Sequence, residues 1–183
     1  MSNVMDLILS SNYFKLFELP VDFNIDEPQL TARYRQMQLA VHPDRFVNAT
    51  DQERRLSVQH AATINEAYET LRDSMLRARY LLSLNGISWD DERDTVMDTE
   101  FLMQQIEMRE ALADVTEQPD PLSAAGDMLD RVQSLIGQRT GKLSDCFTQQ
   151  DMQSARDIVR QLQFLYKLRQ EAESLEAELE DAL

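Results

Sequence analysis

Leu30, Tyr34, Met37 and Val41 follow one another at steps of 4, 3 and 4 residues, and Pro43 cuts the series off. Such spacing sets four apolar side chains on one face of an α-helix. Pro43 pushes His42 out of the α region, so this helix ends near Val41. Its start is equally marked. Asp26 is an N-cap, Pro28 falls in the first turn, Gln29 completes a D-x-x-Q capping box, and Ile25 can staple onto Leu30. The same periodicity returns in Leu56, His60/Ala61, Ile64, Ala67/Tyr68 and Leu71, behind a cap at Thr50 or Asp51. The 183 residues contain only four Gly and five Pro, too few for the tight turns of an all-β fold. The chain is expected to be all-α.

Two helices of this length joined by the loop from His42 to Ala49 form an antiparallel hairpin. A short helix from Tyr13 to Leu19, capped by Asn12 and stopped by Pro20, is expected before it. A fourth, Met75 to Leu84, ends at Asn85-Gly86. Residues 86–97, including Trp89, break the periodicity and read as a linker. Beyond it three more amphipathic helices are expected, as a three-helix bundle. Asp98 caps the first, and Pro119 and Pro121 mark the loop after it. Leu122, Leu129, Val132, Ile136, Leu143 and Phe147 define the second, weakened by Gly137 and Gly141. Ala155, Ile158, Leu162, Leu165, Ala172 and Leu179 define the third, with heptad-like spacing. The expected division is therefore 1–85, linker 86–97, and 98–183.

Charge separates the same halves. Residues 1–85 hold 9 basic and 11 acidic side chains, net −2; residues 86–183 hold 9 and 22, net −13. A total of −15 excludes polyphosphate or nucleic-acid binding by the chain as a whole, since that binding runs on Lys and Arg. A single cysteine, Cys146, excludes an internal disulfide framework and any multi-cysteine metal site. No segment approaches the ~20 apolar residues of a membrane span. Met1–Ser10 has a short apolar run interrupted by Asp6, with no basic start, so a cytoplasmic protein without a signal peptide is expected.

His42-Pro43-Asp44 invites a chemical reading, but the parts for catalysis are missing. A general base needs a nucleophile and an orienting partner. The only other histidine, His60, lies on an apolar helical stripe, where a core or edge position is expected. Two histidines and one aspartate also lack a third convergent metal ligand. Alone, the tripeptide is an ordinary loop stiffened by proline. Its context is not ordinary. From Gln29 to Thr50 there are three Arg and one acid, Asp44. Tyr34 and Arg35 stand eight and seven residues before His42, and Arg45 follows the tripeptide. Tyr13-Phe14-x-Leu16-Phe17-x-Leu19-Pro20 precedes it, and Ile64-Asn65-x-Ala67-Tyr68-x-x-Leu71 comes after.

Together these motifs resemble the J-domain, the module by which co-chaperones stimulate the ATPase of DnaK-type chaperones. The resemblance implies that His42, Pro43 and Asp44 carry stimulation and that Tyr34, Arg35 and Arg45 carry docking. Gln36 departs from the family, which often has a second basic residue there. The cationic face is correspondingly thin.

In the second half, Phe101, Met108, Leu112 and Val115 form the expected core stripe of the first helix. Leu102 and Ile106 point elsewhere, with Met103 beside them and Glu107 and Glu110 at the border. Phe164 lies off the Ile158/Leu162/Leu165 line of the last helix. Such residues are either extra core or an exposed partner patch. Arg77-Ala78-x-Tyr80-Leu81-Leu82-Ser83-Leu84-x-Gly86 and Asp98-Thr99-x-Phe101-Leu102-Met103 resemble the HscB-type J-proteins of iron–sulfur cluster assembly. That resemblance covers nearly the whole chain after Ser10. It implies a C-terminal bundle that binds the cluster scaffold IscU and delivers it to the DnaK-type chaperone HscA. By the same resemblance, the scaffold-binding residues are Leu102, Met103, Ile106, Glu107, Glu110 and Phe164. The N-terminal cysteine-rich module of many eukaryotic relatives is absent, which points to the bacterial cytoplasmic type. No cofactor, metal or catalytic residue is expected.

Other readings stand beside this one. The nine Met suit a generalist J-protein holding unfolded clients. An enzyme with His42 as base would need turnover without a chaperone. The heptad spacing raises pairing of two chains through the acidic tail, Glu171 to Asp181, although a solvated face is the simpler reading.

Overall fold

The computed structural model describes residues 12–42, 50–87 and 99–182, and the regular structure among them is entirely helical. The described residues form two compact units that divide between Leu84 and Asn85. The first contains α1 (Tyr13–Leu16), α2 (Glu27–Val41), α3 (Asp51–Arg72) and α4 (Ser74–Leu84). The second contains α5 (Thr99–Ala113), a 3-10 turn (Asp114–Glu117), α6 (Pro121–Thr148) and α7 (Met152–Asp181).

Local capping chemistry sets the helix starts. The Asp26 carboxylate accepts from the Gln29 amide at 2.8 Å to open α2. At α3, Thr50 Oγ1 accepts from the Glu53 amide and the Glu53 carboxylate accepts from the Thr50 amide, a reciprocal capping box. Asp73 accepts from the Met75 and Leu76 amides at the start of α4.

Two helix ends depart from what the pattern of Gly and Pro suggests. The first helix was expected to run to Leu19 and stop at Pro20; it ends at Leu16. Glu18 adopts φ 54°, the Leu19 amide donates to the Phe14 carbonyl at 2.8 Å, and the Glu18 amide donates to the Lys15 carbonyl at 3.1 Å. This is a Schellman closure with glutamate where glycine is usual. Gln150, at φ 59°, closes α6 in the same way. The Asp151 amide donates to the Cys146 carbonyl at 2.9 Å and the Gln150 amide to the Phe147 carbonyl at 3.2 Å. Pro121, expected in a loop, is instead the first residue of α6, behind an Asp120 cap that accepts from the Ser123 amide. A proline there loses no hydrogen bond, because that amide has no intrahelical partner. The linker residues 88–97, Trp89 and the Asp98 cap lie outside the described residues.

In the first unit α2 and α3 run antiparallel. Tyr34 and Tyr68 stack with ring centroids 4.0 Å apart, and the Tyr34 hydroxyl donates to Asn65 Oδ1 at 3.0 Å. Gln38 also bonds Asn65, and Thr31 meets the Tyr68 hydroxyl. Phe14, Phe17, Leu30, Ile64, Leu71 and Leu82 are fully buried between the helices. Tyr13 stacks on Tyr80 at 4.5 Å, its amide donates to the Tyr80 hydroxyl, and its own hydroxyl donates to Glu66. Burial and the Glu66 carboxylate push the Tyr13 phenol up to about 12.

Arg77 is buried, which its charge alone argues against. Its Nη1 donates to the Leu71 carbonyl at the end of α3, and its guanidinium lies 5.2 Å from the centre of the Phe23 ring. It thereby satisfies a carbonyl that the helix end leaves unpaired. His60 is also buried, as its place on the apolar stripe implied, and its Nε2 has no hydrogen-bond partner among the described residues.

In the second unit α6 and α7 make a long antiparallel hairpin, joined by Gln149, Gln150 and Asp151. Arg169 of α7 reaches Gln133 of α6, and Glu176 lies against Gly126. Met128, Val132, Ile136 and Leu143 of α6 meet Ile158, Val159, Leu162, Leu165 and Leu168 of α7 in the core. The shorter α5 completes the bundle with Phe101 and Met108, followed by Val115 of the 3-10 turn. Leu112, expected on that stripe, is half-buried.

Candidate functional site

Two surfaces hold the residues that the sequence singled out. The first lies on α2 and ends at His42. His42 ends α2 at φ −57° and ψ 132°, the extended conformation that a following proline enforces, and its side chain is exposed. Arg35 is exposed one helical turn from Leu39 on the outer face. Tyr34 is half-buried; its ring and hydroxyl are taken up by Tyr68 and Asn65 inside the hairpin. Pro43, Asp44 and Arg45 lie outside the described residues.

The outer face of this hairpin carries apolar side chains that the core-stripe reading passed over. Leu39 of α2 is 69% exposed and Val58 of α3 is 61% exposed. Leu39 lies about 180° from the buried stripe at ~100° per residue, beside Arg35 and His42. Elsewhere a cleft of about 180 Å³ runs between the end of α1 and α2, lined by Leu16, Phe17, Arg33, Gln36, Met37 and Ala40. Arg33 and Glu18 pair at 2.6 Å on its rim.

The second surface is one side of α5. Leu102, Met103 and Ile106 are 47%, 58% and 47% exposed, whereas Phe101 and Met108 on the same helix are buried. Glu107 and Glu110 are exposed beside them. Phe164 of α7 is half-buried. Its ring meets Phe101 edge-on, centroids 5.8 Å apart and planes at 90°. The guanidinium of Arg109 lies 5.8 Å from the centre of the same ring. Phe164 is thus partly extra core and partly surface, at the seam where α5 packs on α7. Arg109 belongs to this surface and was missed by sequence reasoning. Its helical position lies between the core stripe and Leu102, but its contact is with a residue on another helix.

Among the described residues no group of three or more His, Cys, Asp or Glu is placed to hold a metal ion. Burial pushes the Cys146 thiol up, with the carboxylates of Asp151 and Asp145 adding to the effect, the opposite of what an activated nucleophile needs. No helix among the described residues is long and apolar enough to cross a membrane.

Comparison with known proteins assigns both halves. Residues 12–80 match the family model of the DnaJ domain, and residues 97–173 match that of the HSCB C-terminal oligomerisation domain. The chain is 43% identical over 169 residues to the co-chaperone protein HscB homolog of Shewanella woodyi, covering 90% of this chain and 97% of that one. It is 42% identical over 165 residues to the homolog from Photobacterium profundum, covering 90% and 96%. This chain belongs to the HscB co-chaperone family. Solved HscB structures share its fold. Chaperone HscB from Vibrio cholerae superposes with a TM-score of 0.83 at 39% identity, covering 92% of this chain and 99% of that one. The human co-chaperone protein HscB gives 0.83 at 30% identity, covering 90% and 82%. As an HscB-family chain it pairs a J-domain with an all-helical C-terminal domain, and its relatives are co-chaperones rather than enzymes.

Proposed function

We propose that this protein stimulates the ATPase of a DnaK-type chaperone, HscA, and delivers the iron–sulfur scaffold IscU to it in the cytoplasm. The observation that carries the reading is the side of α5 that bears Leu102, Met103 and Ile106, exposed in an otherwise well-packed bundle of an HscB-family chain. A solvent-facing row of three large apolar residues is a partner surface in a soluble domain. Glu107 and Glu110 give it a carboxylate rim, and Phe164 extends it onto α7.

The chaperone contacts the other surface. His42, Pro43 and Asp44 engage it, and Tyr34, Arg35 and Arg45 support the docking. The cations steer an acidic partner face. The division of labour follows the segments 1–85 and 98–183, joined by 86–97. Holding both partners on one chain raises the effective concentration of scaffold at the chaperone without any new contact between them. The protein itself performs no chemical step and needs no cofactor, metal, nucleic acid or membrane.

The test is the steady-state ATPase of HscA with this protein and IscU added separately and together. Greater-than-additive stimulation supports the adaptor. Stimulation indifferent to IscU leaves a J-protein whose C-terminal domain serves another partner, and comparable binding of many denatured proteins would mark a generalist. No stimulation overturns the reading.

A further inference from the structure

The α5 surface is not symmetric about its apolar centre. At about 100° per residue, Arg109 and Leu102 fall within about 20° of one another on α5, Ile106 lies about 40° further round, Glu110 and Met103 about 40° and 60° beyond Ile106, and Glu107 about 40° past Met103. A cation therefore borders one side of the apolar face and a carboxylate the other. The cationic side is the one turned to α7, because Arg109 covers the Phe164 ring at 5.8 Å. On α7 the neighbouring cation, Arg160, one turn before Phe164, is paired with Asp157 at 3.3 Å. Within α5 Arg109 is the one basic residue, so the unequal charge of that helix's two sides rests on it.

Phe164 is held from two directions. Phe101, which is buried, packs against it with the ring planes at 90°, and the guanidinium of Arg109 lies over its face. A guanidinium within about 6 Å of a ring centroid is attracted by the negative face of the ring. An exposed arginine so placed limits how the ring turns.

We propose that Arg109 is a positioning residue of this surface: it fixes the Phe164 ring and, opposite Glu110, makes the face accept the scaffold in a single orientation. The matching scaffold element presents an acidic group towards α7 and a basic group towards Glu110, with apolar side chains between. This inference rests on the proposed scaffold-binding role, so its experiment has one readout that needs no partner.

In the full-length protein with labelled phenylalanine rings, Arg109→Met is expected to shift the Phe164 and Phe101 ring resonances. Those of Phe14, Phe17 and Phe23 stay unchanged, and Arg109→Lys lies between the two. Calorimetry with IscU is expected to show binding weakened about fivefold by Arg109→Met, less by Arg109→Lys, and about thirtyfold by Arg109→Glu. HscA stimulation without scaffold is unaffected in all three. Unmoved Phe164 resonances in Arg109→Met overturn the positioning role. Affinity within twofold of wild type in Arg109→Glu overturns the orienting role. A wild-type protein that does not bind IscU overturns the proposed function and the orienting role together, while the ring resonances still decide whether Arg109 positions Phe164.

Discussion

The rings of Tyr34 on α2 and Tyr68 on α3 lie 4.0 Å apart with 15° between their planes, and the Tyr34 hydroxyl donates to Asn65 one turn away. This contact ties α2 to the helix behind it. Stacked aromatic pairs contribute about 1 kcal/mol beyond burial, and a neutral hydrogen bond about the same. Tyr34→Ala is therefore expected to destabilise the first unit by about 2 kcal/mol and Tyr34→Phe by about 1 kcal/mol. Urea unfolding followed in this unit measures both. A Tyr34→Ala variant as stable as wild type would mean the stack adds nothing. Tyr34→Phe, which keeps the ring, is the variant in which loss of chaperone stimulation reports docking rather than folding.

His42 is exposed and already extended as its proline requires, so its replacement leaves the backbone undisturbed. His42→Gln is expected to change stability by less than about 0.5 kcal/mol, as exposed substitutions do. It is expected to abolish HscA stimulation and leave IscU affinity unchanged. If the variant unfolds, the histidine is structural and its assigned role fails.

Neighbours on α5 should respond in opposite ways. Phe101→Ala removes a buried ring from beneath Phe164 and is expected to destabilise the second unit by about 3–4 kcal/mol. Leu102→Ala with Ile106→Ala removes exposed side chains and is expected to cost less than about 1 kcal/mol. The same pair is expected to lower IscU affinity at least about tenfold, since apolar anchors dominate such surfaces. Thermal unfolding and calorimetry on the two variants separate packing from binding.

Gln150 and Gly86 test the left-handed turns from both sides. Gln150 closes α6 at φ 59° with a side chain that this conformation disfavours. Gln150→Gly relieves about 1–2 kcal/mol of strain against the greater freedom of glycine in the unfolded chain. The net expectation is stabilisation by about 0.5–1 kcal/mol. Gly86→Ala, at φ 76° with open space around its Cα, is expected to destabilise by about 1 kcal/mol. Opposite shifts in the denaturation midpoint are the signature.

The cap of α7 titrates. Hydrogen bonds from Ser154, chiefly from its side chain, hold the Asp151 carboxyl below its usual range. A folded-state pKa below the unfolded value means that the contribution is fully present above about pH 4 and fades as pH falls through the lowered value. Asp151→Asn keeps an acceptor for the cap but cannot ionise. Unfolding curves between pH 2 and 6 are expected to show a shallower acid-side decline for this variant, and parallel curves would exclude the linkage.

The sequence by itself determined the helical class, most helix starts and which side chains of α5 leave its core stripe. Its signals there are local. Asp26 and Thr50 bond amides three residues away, and the apolar repeat at 3 and 4 marks which side chains share a face. That Leu102 and Ile106 leave the stripe of Phe101 and Met108 is therefore visible in one dimension. Glu18 and Gln150 were not readable as helix ends, because neither is the glycine that usually marks a left-handed closure. Whether an off-stripe residue is covered depends on a helix dozens of residues away. Tertiary packing decided that Leu102, Met103 and Ile106 stay open while Phe164 is half-covered by Phe101 and Arg109. It decided too that Arg77, an apparent surface cation, is buried as the cap of α3. Hydrogen bonds and periodicity act over one helical turn and are written in adjacent residues; burial is a property of the assembled core, where each side chain meets whatever another helix brings to it.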